Sequence, residues 1–87
     1  MGKPIIYRVE LFAIAKDLAD ASHLDIETSD RVSGAELLDK IQRDYPCLSE
    51  LIRVSRLAVD DRFVDSDQAA AIDPDQSIAL IPPVSGG

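Results

Sequence analysis

Apolar residues recur at every second position near the start of the chain. Ile5, Tyr7, Val9 and Leu11 fall on one side of an extended backbone and Ile6, Arg8 and Glu10 on the other, which predicts a first strand over 5–12. The period then lengthens: Ile14, Leu18 and Ala21 stand at helical spacing while Lys16, Asp17 and Asp20 are left for solvent, so a short helix over 13–21 is expected, with Ile14 and Leu18 facing inward. Alternation returns in Leu24-Asp25-Ile26-Glu27-Thr28. This second strand has one wet face and should pair antiparallel with the first.

The strongest local signal is Val32-Ser33-Gly34-Ala35-Glu36-Leu37. Ser33 can accept a hydrogen bond from a free backbone N–H at a helix start, Glu36 three residues on can return one, and Val32 with Leu37 can clamp the turn from outside. Leu37, Leu38, Ile41 and Tyr45 continue as one apolar stripe, and Pro46 ends the helix near Tyr45 because its ring disfavours a helical residue before it. Residues 47–53, with Leu48, Leu51 and Ile52, allow a further turn or two of helix.

Leu57 and Val59, then Phe63 and Val64, flank the polar break Asp60-Asp61-Arg62 and predict a hairpin, without the glycine that tight turns of this kind favour. The polar stretch 66–76 precedes a last apolar run, 77–81. The order strand, helix, strand, helix, then strands predicts an α+β domain over 1–81: a mixed sheet with helices packed on one face. Residues 82–87 form a separate extended tail.

Length and charge narrow the options. The chain has 87 residues, enough for one compact domain and too few for a two-lobed enzyme. Nine Lys and Arg against 16 Asp and Glu give a net charge of −7, which repels phosphate backbones and anionic lipid, so neither nucleic acid nor membrane is an expected partner. Basic protein surfaces suit that charge better, and Asp60, Asp61, Asp65 and Asp67 are candidates to steer one. One cysteine excludes an internal disulfide, and no apolar run is long enough for a secretion signal or a membrane span; a cytoplasmic protein is expected.

The candidate chemistry lies in Pro82-Pro83-Val84-Ser85-Gly86-Gly87. Two prolines stiffen the exit from the last strand, and two glycines without side chains can thread a slot too narrow for any Cβ. At the tip, the α-carboxylate of Gly87 is ionised and inert toward nucleophiles at neutral pH. It reacts once a partner adenylates it with ATP, because the nucleotide then becomes a leaving group for a sulfur or nitrogen nucleophile.

These features resemble the ubiquitin-like sulfur carriers of the MoaD/ThiS type, and among them the small subunits of molybdopterin synthase. The matching segments are Val9-Glu10-Leu11-Phe12-Ala13, the capped segment from Val32 to Leu38, Leu57-Ala58-Val59-Asp60, and Ala79-Leu80-Ile81 running into the tail. The resemblance implies a β-grasp fold that binds no cofactor of its own and is not catalytic alone. It implies that an E1-like enzyme adenylates Gly87, that a sulfur donor protein converts it to a thiocarboxylate, and that the tail enters a pocket of the large synthase subunit to give sulfur to cyclic pyranopterin monophosphate. Gly87 is then the carrier with Gly86 beside it, and Pro82, Pro83, Val84, Ser85 and Phe63 meet the partner. Asp60 stands where the family usually has Asn, and Asp75-Gln76-Ser77 where it has Gly-Asp-Glu, which leaves a carrier for thiamin thiazole synthesis or a protein modifier joined to lysine through Gly87 as alternatives.

Two other residues invite chemistry. Cys47 has no histidine near it in sequence to activate its thiol and is expected to be packed. His23 has no second ligand at metal spacing, so no metal site is expected. Of Phe12 and Phe63, at least one is expected in the core, the alternative being a docking patch shared with Leu57 and Val59.

Overall fold

The computed structural model describes residues 3–64 and 70–83. Five strands form one mixed sheet: β1 (Ile5–Leu11), β2 (His23–Thr28), β3 (Arg56–Val59), β4 (Arg62–Val64) and β5 (Ile78–Ile81), in the spatial order β2-β1-β5-β3-β4. β1 and β2 are antiparallel, with Val9 opposite Leu24 and Tyr7 opposite Ile26. β5 enters between the β1–β2 and β3–β4 pairs, parallel to β1 and antiparallel to β3. The helices α1 (Ala13–Ala19), α2 (Gly34–Asp44) and α3 (Ser49–Ile52), with a 3₁₀ turn at Pro46–Leu48, cover one face. This is the β-grasp arrangement. Its core is the inward row of each strand, including Tyr7, Val9, Ile26, Leu57 and Leu80, closed by Leu37, Ile41 and Leu48 from the helical layer.

The capping box forms as the residue types require: the Glu36 N–H donates to Ser33 Oγ at 3.3 Å and the Ser33 N–H donates to Glu36 Oε1 at 3.0 Å. Gly34, the first residue of α2, is buried, and a Cβ there would stand 2.9 Å from Val64 Cγ1. The missing side chain lets the helix start press against β4.

Tyr7 is the largest wholly buried side chain, and its hydroxyl is fully used. It donates to the Ile72 carbonyl at 2.6 Å and accepts the Val32 N–H at 3.0 Å, while the Ile72 N–H donates to the Val32 carbonyl at 2.8 Å. One phenol thereby ties β1 to the segments before α2 and before β5. Tyr7→Phe leaves the Val32 N–H and the Ile72 carbonyl each one partner short and should cost about 1–3 kcal/mol, read by urea denaturation.

Three local expectations are corrected. In α1 it is Ala15 that is buried, while Ile14 and Leu18 are 52% and 45% exposed. This seven-residue helix is seated through its small residue, which puts the neighbouring larger ones outside. Neither phenylalanine enters the core: Phe12 is 47% and Phe63 52% exposed, and Tyr7 supplies the bulk instead. Cys47 is exposed rather than packed, because in the turn after Pro46 it is Leu48 that points into the core.

The hairpin between β3 and β4 does form, without glycine. Asp60 and Asp61 take φ of 52° and 65°, the left-handed pair that a two-residue primed turn needs and that Asp tolerates better than most residues. Asp60 also holds the approach to β5, accepting the Ser77 N–H at 3.0 Å and the Gln76 side-chain amide at 2.9 Å. The Gln76 bond first, then the Ser77 N–H, holds the Asp60 carboxyl below its ordinary value of 3.8. Hydrogen bonds to Ser33 lower Glu36 in the same sense from 4.5. Both groups therefore add stability that is complete above those ordinary values and is lost as pH falls through the lowered native ones. Thermal melts from neutral pH to about pH 3 should show that loss, and Asp60→Asn should flatten part of it.

Candidate functional site: the tail exit and the sheet face beside it

β5 carries the chain toward its C terminus through the middle of the sheet. Its last pair is Ile81 opposite Arg56 of β3, after which Pro82 is half-buried and Pro83 exposed. Pro82 has no N–H to extend a ladder, so pairing stops and the chain leaves from between the two halves of the sheet. Of the expected site residues, Val84, Ser85, Gly86 and Gly87 lie outside the described residues, as do Asp65 and Asp67.

Strand alternation decides what surrounds the exit. Leu57, Val59, Ile78 and Leu80 point into the core, so Arg56, Ala58, Ala79 and Ile81 lie on the opposite, helix-free face. The register sets Ala79 opposite Ala58 and Ala58 opposite Phe63. Phe12, one step past the buried Leu11, joins this face at the end where the tail leaves. The result is an apolar surface of Phe12, Ile81, Ala79, Ala58 and Phe63 at the foot of the tail, with the Arg56 guanidinium 4.0 Å from the centre of the Phe63 ring. Of the four residues considered for an exposed patch, Phe12 and Phe63 are exposed on this face, whereas Leu57 and Val59 face inward and their place on the face is taken by Ala58 and Ala79. Strict application of the period to Arg56-Leu57-Ala58-Val59 would have found this.

The remaining chemistry lies apart from the exit. Arg8, Glu10, Asp25 and Glu27 populate the other half of the sheet, where His23 Nδ1 is 3.4 Å from Arg8 and Nε2 is 3.9 Å from Asp25. Among the described residues, no three His, Cys, Asp or Glu side chains are grouped so as to hold a metal ion. An open depression of about 510 Å³ lies between Thr28 and α2, at the end of β1 away from the exit. Asp60 and Asp61 are also at the far end, and Asp60 is engaged in its turn. Among the described residues, no helix is long and apolar enough to cross a membrane.

Comparison with known proteins agrees with this geometry. The chain is 34% identical over 82 residues to a molybdopterin synthase sulfur carrier subunit of Dictyostelium discoideum, covering 93% of this chain and 95% of that one. A protein of the same name from Caenorhabditis briggsae is 31% identical over 80 residues, covering 92% and 95%. The fold matches the crystal structure of the small archaeal modifier protein 1 of Haloferax volcanii with a TM-score of 0.73 at 19% identity, over 92% of this chain and 99% of that one. The model of the ThiS family matches residues 9–87, from the second half of β1 through Gly86-Gly87, and the chain belongs to that family.

Proposed function

We propose that this chain is the sulfur carrier subunit of a molybdopterin synthase, with the C-terminal carboxyl of Gly87 as the carrying group. The observation that supports this most is a central strand ending at Pro82-Pro83 beside an exposed apolar face, in a chain related over nearly its whole length to sulfur carrier subunits of that synthase. The domain provides a rigid grip, and the tail provides reach into a partner.

The chemistry follows from the inertness of a carboxylate. A Gly87 oxygen attacks the α-phosphorus of ATP in an E1-like enzyme, pyrophosphate leaves, and an acyl adenylate remains. Sulfide delivered by a donor protein then attacks the acyl carbon and AMP leaves, so that sulfur stands where one oxygen stood. Threaded into the large subunit, the thiocarboxylate sulfur bonds to a carbon of cyclic pyranopterin monophosphate in place of an oxygen substituent, and water cleaves the Gly87 acyl–sulfur bond and returns the carboxylate. One terminus carries one sulfur and a dithiolene holds two, so two charged carriers act in succession on each product. The chain contributes no acid, base or bound cofactor to these steps; ATP is consumed by the activating partner. The setting of such a carrier is the cytoplasm.

Reconstitution tests this directly. The chain, its activating enzyme, ATP, a sulfide source and the large subunit of the same organism should convert the pyranopterin substrate to the dithiolene product. Failure of the chain to gain sulfur under those conditions would overturn the proposal. Cys47→Ser should support product formation at the wild-type rate, since the exposed thiol lies in the Pro46–Leu48 turn of the helical layer and the carried sulfur is on Gly87. A large loss of rate with an unchanged melting point would move the chemistry to Cys47.

A further inference from the structure

On the helix-free face Arg56 is a cation in a molecule of opposite net charge, with Glu10 of the neighbouring strand opposite Ala79. The chain bears a net −7, yet Arg56 stands directly beside the exit, opposite Ile81. Arg56 and Phe63 are both exposed, and the guanidinium lies over the ring rather than extending into solvent. The ion pairs seen among the described residues use other cations: His23, Arg31, Lys40 and Arg43. A guanidinium held over a ring loses rotamer freedom in advance of docking, and its planar fork of N–H donors suits a planar acceptor. A carboxylate matches that fork with two parallel hydrogen bonds.

A protein that draws in the tail approaches this face, because β5 delivers the tail from it and the fixed φ of Pro82 and Pro83 restricts the first two residues after the strand. A subunit that forms an enzyme with this chain would cover Phe12, Ile81 and Phe63 and take Arg56 out of water with them. A buried cation without a counter-charge weakens such a complex, whereas one met by a carboxylate holds it and excludes surfaces lacking one. Resting on the reading of the chain as the synthase small subunit, we propose that Arg56, positioned by Phe63, is a specificity contact that seats a carboxylate of the large subunit at the foot of the tail. The acidic surface at large attracts a partner from a distance, and this contact selects for the opposite charge at close range.

The test measures binding of Arg56 variants to the large subunit of the same organism. Arg56→Gln should weaken binding about 10-fold and Arg56→Glu about 100-fold or more, with Arg56→Lys between wild type and Arg56→Gln because it keeps the charge and loses the fork. The melting point of the isolated chain should not move, since the side chain is exposed. Carboxylates on the docking surface of the large subunit are then changed singly to lysine. One such change should restore binding to the Arg56→Glu chain and weaken binding to wild type. Variants that all bind within about twofold of wild type, or losses that no partner change repairs, would overturn the assignment. If the wild-type chain gains sulfur and binds while Arg56 proves neutral, this contact alone is wrong; if it neither gains sulfur nor binds, the parent reading falls with it.

Discussion

Removing Gly87 alone is expected to abolish sulfur transfer while leaving the domain folded. Deletion places the carboxylate on Gly86, one residue short, roughly 3.3–3.6 Å back along an extended chain. A partner that attacks the terminal carboxyl needs the reacting atoms within about 3–3.5 Å of each other, so a displacement of that size removes the reaction rather than slowing it. The fold is insensitive to the deletion because the ladder of β5 ends at Ile81, six residues earlier in sequence, and the core lies behind it. Activity of the shortened chain in the reconstituted synthase should be at background, with an unchanged melting point. Substantial product from the deletion variant would contradict the carrier role of the terminus.

Gly86→Val is expected to have an effect nearly as large for a different reason. The terminal carboxyl remains in place and ionised, but a branched Cβ now stands in the part of the tail that must pass through the partner's channel, where Gly offers only hydrogen. Adenylation and product formation should both fall by at least about 100-fold, on the scale of the losses that follow a misplacement of about 1 Å at a reacting centre. Gly86→Ala adds one methyl and should fall between this variant and wild type. Near-normal turnover by the valine variant would mean that the tail is not threaded through a narrow slot. Gly86 and Gly87 both lie outside the described residues and beyond the end of β5 in sequence, so a drop in domain stability would point to a further role for the tail.

Much of the fold was legible from local pattern because this sheet has one wet face. Period-two alternation in Ile5–Leu11 and in His23–Thr28 separates the two sides of each strand residue by residue. The Ser33/Glu36 pair likewise announces the start of α2 by chemistry that needs no distant partner. The errors arose where tertiary placement overrides local pattern. Ile14 and Leu18 have the spacing of an inward face, yet the helix is seated through Ala15, a choice that depends on where the chain turns after Phe12. The size of Phe12 and Phe63 argued for burial, but strand parity puts both on the helix-free face.

The candidate site divides in the same way. The tail is readable in sequence because its properties, two prolines and two residues lacking side chains, are those of the residues themselves. The face at its foot is not, because it is assembled from Phe12, Ala58, Phe63 and Ile81 on four different strands or their ends, and only the order β1-β5-β3-β4 makes them neighbours. Arg56 was invisible for that reason: an arginine at the start of a strand is unremarked until its stack on Phe63 and its register with Ile81 are known. Asp60 gives the converse case. It reads from sequence as an acid available to steer a partner, and its place in a left-handed turn with bonds to Gln76 and Ser77 adds a structural task that the sequence does not reveal.

The most direct test is the intact mass of this chain isolated from the cells that make it, with its biosynthetic partners present. A fraction of the molecules should be heavier than the sequence mass by the exchange of one oxygen for sulfur, with fragmentation placing the exchange at Gly87. Material that carries only an unmodified terminus, or whose Gly87 is found joined to lysine of other proteins with no thiocarboxylate at all, would contradict the account.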